Sequence, residues 1–398
     1  MENKPPHPPH RGDRPPRTIA GPYPMVWVLL FTAAGVVVAR YAALPAGWLA
    51  AAFAATLLMA FATLRRPAGE VYVAAALLLF GMMLPALRPR PVYGSDGTNR
   101  LHEAASERIR RLELPPDAEA VALAMAAGDR TELTAERRAP YARTGTAHVL
   151  AVSGLHVGMV FLYVNLLTGG LALLRRGHLL RNAAAVAAIW LFAAAAGLSP
   201  GTIRAAVMFT ALQLALATTS RYAGVNILGA AAFGMLLWRP SYLFHVGFQL
   251  SFLSVAAILA WGVPLYRRLR TPWRAVNVPL GMLVMSAAAS AATAPLVSYR
   301  FGEIPLVGPA VNPPVILLAY GAVGASLLWL AIPWPPLSVI VRPLLAGVLR
   351  LQDRLVGAAA ALPYAAVDYR MTAAQTAAVY LFFAIFTLVA YRPWRKNR

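Results

Sequence analysis

The sequence predicts an all-α, polytopic transmembrane helical bundle of about 10 to 11 spans, with an interfacial amphipathic helix and interrupted helices. Three observations predict it. The 398-residue chain is 59% hydrophobic with a mean hydropathy of +0.59, more apolar surface than a water-soluble core of this size would hold. That surface is divided into successive apolar segments near the ~20 residues a bilayer crossing needs, separated by basic turns. The charge is also lopsided. Residues 1–136 carry 14 basic and 12 acidic side chains, whereas residues 137–398 carry 22 basic and only three acidic ones, Glu303, Asp353 and Asp368.

The elements follow in order. Residues 1–24 are Pro-rich and basic and read as a disordered cytoplasmic tail. Residues 25–87 hold three N-terminal spans, broken by the basic turn Arg65-Arg66. Residues 88–143 form a short polar loop with ten Arg and nine acidic residues. Its helical patterns lie near His102 to Leu114 and Asp117 to Ala127, and an inside N-terminus followed by three spans puts it on the non-cytoplasmic side. Residues 144–398 are nearly all membrane, with spans beginning near Thr146, Asn182, Gly201, Val225, Tyr242, Val276 and Pro305. Residues 335–361 mix apolar positions with Arg342, Arg350, Asp353 and Arg354 at helical spacing, the pattern of an interfacial amphipathic helix. A last span near Ala373 to Ala390 ends in the basic tail YRPWRKNR.

No Asp or Glu occurs between Glu136 and Glu303. That gap argues against carboxylate metal sites and most hydrolytic dyads in the membrane part. The lack of cysteine excludes disulfides, Fe-S clusters and Cys-based zinc sites. No metal or cofactor is expected.

Four motifs carry chemistry. The first, TGTAHVLAVSGLHVG, holds His148, Ser153, Gly154 and His156 at the head of an apolar segment too long for one straight crossing. A helix break at Ser153-Gly154 fits, and so does a helix-packing seam, because Gly154 and Gly158 form a GxxxG pair. Ser153 and His156 share a helical face and would make a catalytic dyad only with an orienting group that the sequence does not supply. The second motif, GLSPGTIRAAVM, is a Gly/Ser/Pro break followed by Arg204. A charge within a span costs about 2.5 to 3.5 kcal/mol, which marks a functional candidate unless the side chain snorkels to the interface. In the third, RPSYLFHVGFQLSFL, the residues Ser241, His245 and Gln249 recur every four residues. A matching stripe, Ser286, Ser290 and Thr293, lies in MSAAASAATAP. Either stripe serves as helix glue or as a polar interior. The fourth, FGEIPLVGPAVNPPVILL, sets Pro305, Pro309, Pro313 and Pro314 at the start of a span, predicting an interrupted helix. Asn312 is then placed to offer its amide to the freed carbonyls.

In this order and spacing, the four motifs resemble the competence domain of the ComEC family of DNA-uptake proteins, over roughly Asp117 to Trp394. The resemblance implies a multi-pass channel component in the inner (plasma) membrane that passes single-stranded DNA into the cytosol during natural transformation, and no enzymatic activity. Its implied partners are single-stranded DNA, the lipid bilayer, and other competence proteins: a DNA receptor, a cytosolic motor and a separate nuclease. Carried over by position, the motif residues here are His148, Ser153, Gly154, His156, Arg204, Gln249, Ser251, Asn312 and Pro313; His245 joins them from its polar stripe. Longer members insert an OB-like domain and end in a metallo-β-lactamase-like domain, and neither pattern occurs in this sequence. The acid-free stretch suits a polyanion path independently of the family. Two other readings stay open: a transporter for a small anionic solute, using helix N-termini, and an intramembrane serine hydrolase.

Overall fold

The computed structural model describes residues 23–42, 44–63, 66–87, 100–217 and 224–391. The Pro-rich tail through residue 22, Arg65, residues 88–99, Arg221 and the basic tail beyond Tyr391 lie outside the described residues. The regular secondary structure of the described residues is helical except for two three-residue strands. The helices are α1 (Pro24–Tyr41), α2 (Ala46–Ala62), α3 (Pro67–Leu87), α4 (Arg100–Arg110), α5 (Pro116–Ala122), α6 (Ala135–Arg143), α7 (Gly154–Leu167) and α8 (Gly177–Ala195). They continue as α9 (Pro200–Ala217), α10 (Gly224–Trp238), α11 (Val246–Ala257), α12 (Val263–Leu269), α13 (Arg274–Phe301), α14 (Gly308–Ala331), α15 (Pro335–Ala360) and α16 (Ala373–Tyr391). Strands β1 (Glu303–Pro305) and β2 (Ala366–Asp368) pair antiparallel.

Seven of these are long and apolar enough to cross a membrane: α1, α3, α8, the continuous α11–α12, α13, α14 and α16. Three shorter apolar helices, α2, α7 and α10, accompany them among the described residues. The chain is therefore an all-α, multi-pass membrane protein. Low burial of most spans fits helices whose outer faces meet lipid, where the hydrophobic effect does not drive association and close van der Waals packing must do so.

The chain divides into two compact units. The first comprises residues 1–90 and 232–241. Within it α1 and α3 meet backbone to backbone. A Cβ added to Gly35 would fall 2.0 Å from the Leu78 carbonyl oxygen, and one added to Gly81 would fall 2.1 Å from that of Thr32. Only glycine permits this approach, and each helix supplies one.

The second unit comprises residues 91–231 and 242–398. Its core is built around α5, which runs on into a π-helical turn, Leu123–Ala127, with every residue of that turn buried. The run VALAMAA lacks a polar face, so it is surrounded. Val315, Ala319 and Val323 of α14 and Leu345, Leu349 and Val356 of α15 belong to the same core. The helical pattern expected at 117–127 is thus present and deeply packed.

Helices α14 and α15 form an antiparallel hairpin. A short link joins them at one end, and at the other the Ala365 carbonyl accepts the Leu306 and Val307 amides, beside the β1–β2 ladder. The amphipathic pattern of 335–361 is real, but its buried stripe, Val341, Leu345, Leu349 and Val356, is spent on the protein core, not on a lipid surface. Arg342, Arg350 and Arg354 lie on the exposed side with Val339, Ile340, Leu344 and Leu351.

A second expectation is corrected in α14. Pro313 and Pro314 do not interrupt it, and the helix is continuous from Gly308. Each proline removes one N–H bond to the residue four back, Pro309 and Ala310, yet packing against α13 holds the helix.

A polar network ties α15 to α6. The Tyr141 hydroxyl donates to Asp353 Oδ1 at 2.6 Å and accepts from Gln352 Nε2 at 3.1 Å. Arg137 donates to Asp353 Oδ2 at 3.2 Å and also pairs with Asp117. Burial raises the Asp353 carboxyl above its ordinary value, outweighing the Tyr141 hydrogen bond and the Arg137 charge. Burial likewise raises the Tyr141 phenol, reinforced by the Asp353 charge.

Two outcomes are expected. Gly35→Ala or Gly81→Ala should force α1 and α3 apart and lower the detergent-resistant folded fraction, with a cost of about 1–3 kcal/mol. A melting temperature equal to wild type would contradict the backbone contact. For the network, a raised folded pKa means that ionisation of Asp353 opposes folding. This contribution is most favourable below the ordinary 3.8 and is lost as pH rises through the folded value. Asp353→Asn should keep the Tyr141 bond and flatten that pH dependence, whereas Tyr141→Phe leaves buried partners unsatisfied and should cost about 1–3 kcal/mol in thermal unfolding at neutral pH.

Candidate functional site

The segment between α6 and α7 is where the chain departs from helix. After α6, Thr144 and Thr146 fold back on it: the Thr144 hydroxyl donates to the Pro140 carbonyl at 2.9 Å and the Thr146 amide to that of Tyr141 at 2.8 Å. A single 3-10 turn, Ala147–Leu150, follows, then extended backbone to Ser153, the N-cap of α7. The break predicted at Ser153-Gly154 is therefore a helix start. His156 completes it, because its Nδ1 accepts the Ser153 amide at 3.2 Å, and the Ser153 Oγ lies 3.1 Å from the same nitrogen. The helix end so closed has its first free N–H met by an imidazole where a carboxylate commonly serves. With Nδ1 accepting, the ring proton sits on Nε2, which is buried without a hydrogen-bond partner. His156 is fully buried, whereas His148 is exposed and bonds the Gly145 carbonyl at 3.2 Å.

The GxxxG seam has an identifiable partner in α9. Gly154 faces Ala205 at ordinary contact distance, and a Cβ on Gly158 would come within 3.1 Å of the Phe209 ring. Phe209 in turn stacks at a tilt on Phe161, with centroids 5.4 Å apart. This seam draws the Arg204 helix against α7.

Helix α9 starts after a sharp turn at Gly197, whose φ of +73° a side chain would disfavour. Ser199 caps it: the Thr202 amide donates to Ser199 Oγ at 3.3 Å, and Pro200 opens the first turn. Within that first turn, Gly201 lies against the extended segment before α7, where a Cβ would be 3.1 Å from the Val152 carbonyl oxygen. Arg204 then reaches α11. A Cβ on Gly247 would meet Arg204 Nη2, Nη1 and Cζ at 3.2, 3.5 and 3.6 Å, so the guanidinium packs against that glycine. Its Nε is buried with no hydrogen-bond partner, and no ion pair among the described residues involves it.

Around this seat, the Tyr242 ring contacts His245 edge-on at 5.7 Å and stacks on Phe248 at 6.4 Å, and Tyr242 interacts electrostatically with Arg204. His245 is the N-cap of α11, and Gln249 Nε2 donates to the Leu243 carbonyl at 2.9 Å. Three helix starts, those of α7, α9 and α11, are thus linked through Val152, Gly201, Arg204 and Gly247. N-termini carry partial positive charge, and a guanidinium adds a full one. The arrangement suits an anion.

The fourth motif joins from the opposite end of the same segment. A Cβ on Gly308, at the start of α14, would be 3.3 Å from the Thr144 carbonyl and 3.8 Å from Ser290 Oγ. Asn312 does not serve the carbonyls freed by the prolines. Its Nδ2 donates across to Ser286 Oγ at 3.0 Å, leaving Oδ1 buried and unpartnered. Pro313 follows it within α14. Thr293 departs from the expected stripe by bonding the Ala289 carbonyl of its own helix at 2.8 Å. Ser251 lies on α11, half-buried, and joins none of these contacts.

Ser153 with His156, Arg204 with the His245–Gln249 turn, and Asn312 with Ser286 are therefore three polar groupings on one connected framework. Sequence reasoning passed over Gly247 and Tyr242, which form the Arg204 seat. Gly247 sits inside the quoted HVGFQ, but nothing local marks a glycine as the floor for a side chain on another helix. The three acidic residues after Glu136 are spent elsewhere: Asp353 in the Tyr141 network, Glu303 opposite Asp368 in the β ladder.

Known proteins are similar to this chain over the region that holds these residues. A curated relative, ComE operon protein 3 of Bacillus subtilis (strain 168), is 29% identical over 205 residues, covering 50% of this chain and 24% of that protein. An uncharacterized protein of Aquifex aeolicus (strain VF5) is 29% identical over 228 residues, 56% of this chain and 50% of that one. The chain thus spans between a quarter and a half of the curated relatives it matches. No solved structure matches. The family model described as Competence protein matches residues 125–395, which contain all four motifs and every helix start linked above: the chain belongs to the Competence protein family.

Proposed function

We propose that this competence-family membrane protein is a channel component that passes single-stranded DNA through the inner membrane, without covalent chemistry of its own. The observation that carries the reading is the Arg204 seat. The guanidinium lies against Gly247 with its Nε buried and unpartnered, and no carboxylate among the described residues pairs with it. A phosphate diester supplies the missing acceptor, and a guanidinium's planar fork matches it. The 166 residues between Glu136 and Glu303 hold no acidic side chain that would repel a polyanion. DNA receptor, cytosolic motor and separate nuclease are proposed partners on the same footing.

One contact favours a hydrolase: Ser153 Oγ lies 3.1 Å from His156 Nδ1. That nitrogen, however, accepts the Ser153 amide, so the atom needed as a base is committed to closing the helix. A nucleophile also needs water access to its base, and the imidazole is wholly buried.

Two measurements test these readings. Uptake of labelled DNA into cells carrying Arg204→Ala should fall at least about tenfold at unchanged protein level, with Arg204→Lys restoring it only in part. Gly247→Val, which displaces the guanidinium, should reproduce the defect. Normal uptake in both would remove Arg204 from the path. Ser153→Ala should leave uptake within about threefold of wild type once protein levels are matched, since the backbone cap to His156 survives. A drop of about a thousandfold or more is the signature of a lost nucleophile and would restore the hydrolase.

A further inference from the structure

Helices α11 and α12 form one continuous apolar stretch of 24 residues, Val246–Leu269. At about 1.5 Å per residue it is roughly 36 Å long. Its first turn provides the floor for Arg204, and its last turn opens into the sequence RRLRTPWR, residues 267–274. Four arginines, Arg267, Arg268, Arg270 and Arg274, are exposed there, and none has a carboxylate partner among the described residues. Between them Trp273 presents 74% of its surface. Arginines at such a turn orient a membrane protein and interfacial indoles border its spans; four arginines within eight residues around one indole also match the alternation of phosphates and bases along a strand.

The turn is rigid. The Asn277 side chain accepts the Thr271 amide at 2.8 Å and donates to the Thr271 carbonyl at 2.7 Å, and the Trp273 amide donates to Thr271 Oγ1 at 3.3 Å. Two backbone groups of one residue are held by one side chain of the next helix, so Trp273 is presented from a fixed frame.

From this juxtaposition, and resting on the channel reading, we propose that the α12–α13 turn is a binding platform for single-stranded nucleic acid, one membrane thickness from the Arg204 seat. Trp273 stacks a base, and the flanking arginines contact phosphates on either side of it. Aromatic stacking suits a strand of any sequence because every base offers a π face, and arginines spaced along a turn track a backbone. A lipid surface would also meet Arg and Trp; the locked turn and the four unpaired arginines beside one indole favour the strand.

The test uses the full chain in nanodiscs of neutral phosphatidylcholine and a fluorescent oligo-dT of about 20 nucleotides, read by anisotropy. Trp273→Ala should weaken binding about tenfold, the worth of one stacked base, and Trp273→Phe should recover most of it. Replacing Arg267, Arg268 and Arg270 by Gln should lower the slope of log affinity against log salt by about 0.7 per lost contact. Oligonucleotide affinity unchanged in Trp273→Ala and in the triple variant overturns the platform. So does a defect confined to flotation with phosphatidylglycerol vesicles, which would make the turn a lipid anchor. DNA uptake by Arg204→Ala separates this from the channel reading: lost uptake there with unaltered oligo-dT binding by Trp273→Ala rejects the platform alone. Normal uptake there with weakened binding by Trp273→Ala rejects the channel role of Arg204 and keeps the platform.

Discussion

Non-helical backbone in a membrane protein must find partners for its N–H and C=O groups within the protein, since hydrocarbon supplies none. Thr144 to Ser153 meets that requirement from both ends. Threonines 144 and 146 return to the α6 carbonyls, and Ser153 hands its amide to His156. In between, the Thr144 and Val152 carbonyls are closely approached by Gly308 and Gly201, where a side chain would intrude. The first, second and fourth motifs are thereby fixed around one short segment, and Arg204 brings in the third through Gly247.

That framework explains why polar residues with unremarkable local surroundings end up grouped. His156 is consumed in closing α7, and Asn312 in bridging α13 and α14. Arg204 alone carries full charge onto a glycine floor at the meeting of three helix starts. Positive ends of helices and a guanidinium without a carboxylate partner among the described residues act in the same direction. The separation of this region from the carboxylates follows from where they are spent, in the Tyr141 network and the β1–β2 ladder.

The anchoring of the segment extends outward. Tyr141, whose carbonyl receives the Thr146 amide, is held by Asp353 and Gln352 of α15. Helix α15 is in turn packed along α14, whose first turn touches Thr144. The α14–α15 hairpin and α6 therefore enclose the signature segment in a closed circuit of contacts.

The sequence by itself determined the class of the protein, the order of its spans, the helix start at Ser153, the GxxxG seam and the singular position of Arg204. These depend on composition, on local capping chemistry and on 3.6-residue periodicity, all of which are written within a few residues of one another. Only the tertiary structure decided that Pro313 and Pro314 lie within an unbroken helix, because support from α13 offsets two missing backbone bonds. Likewise, the direction of the Asn312 amide, the burial of residues 121–127 and the role of Gly247 depend on which surface arrives from elsewhere in the chain. A residue's own neighbours specify its conformation, whereas the partner across a helix interface is chosen by the packing of segments a hundred residues apart.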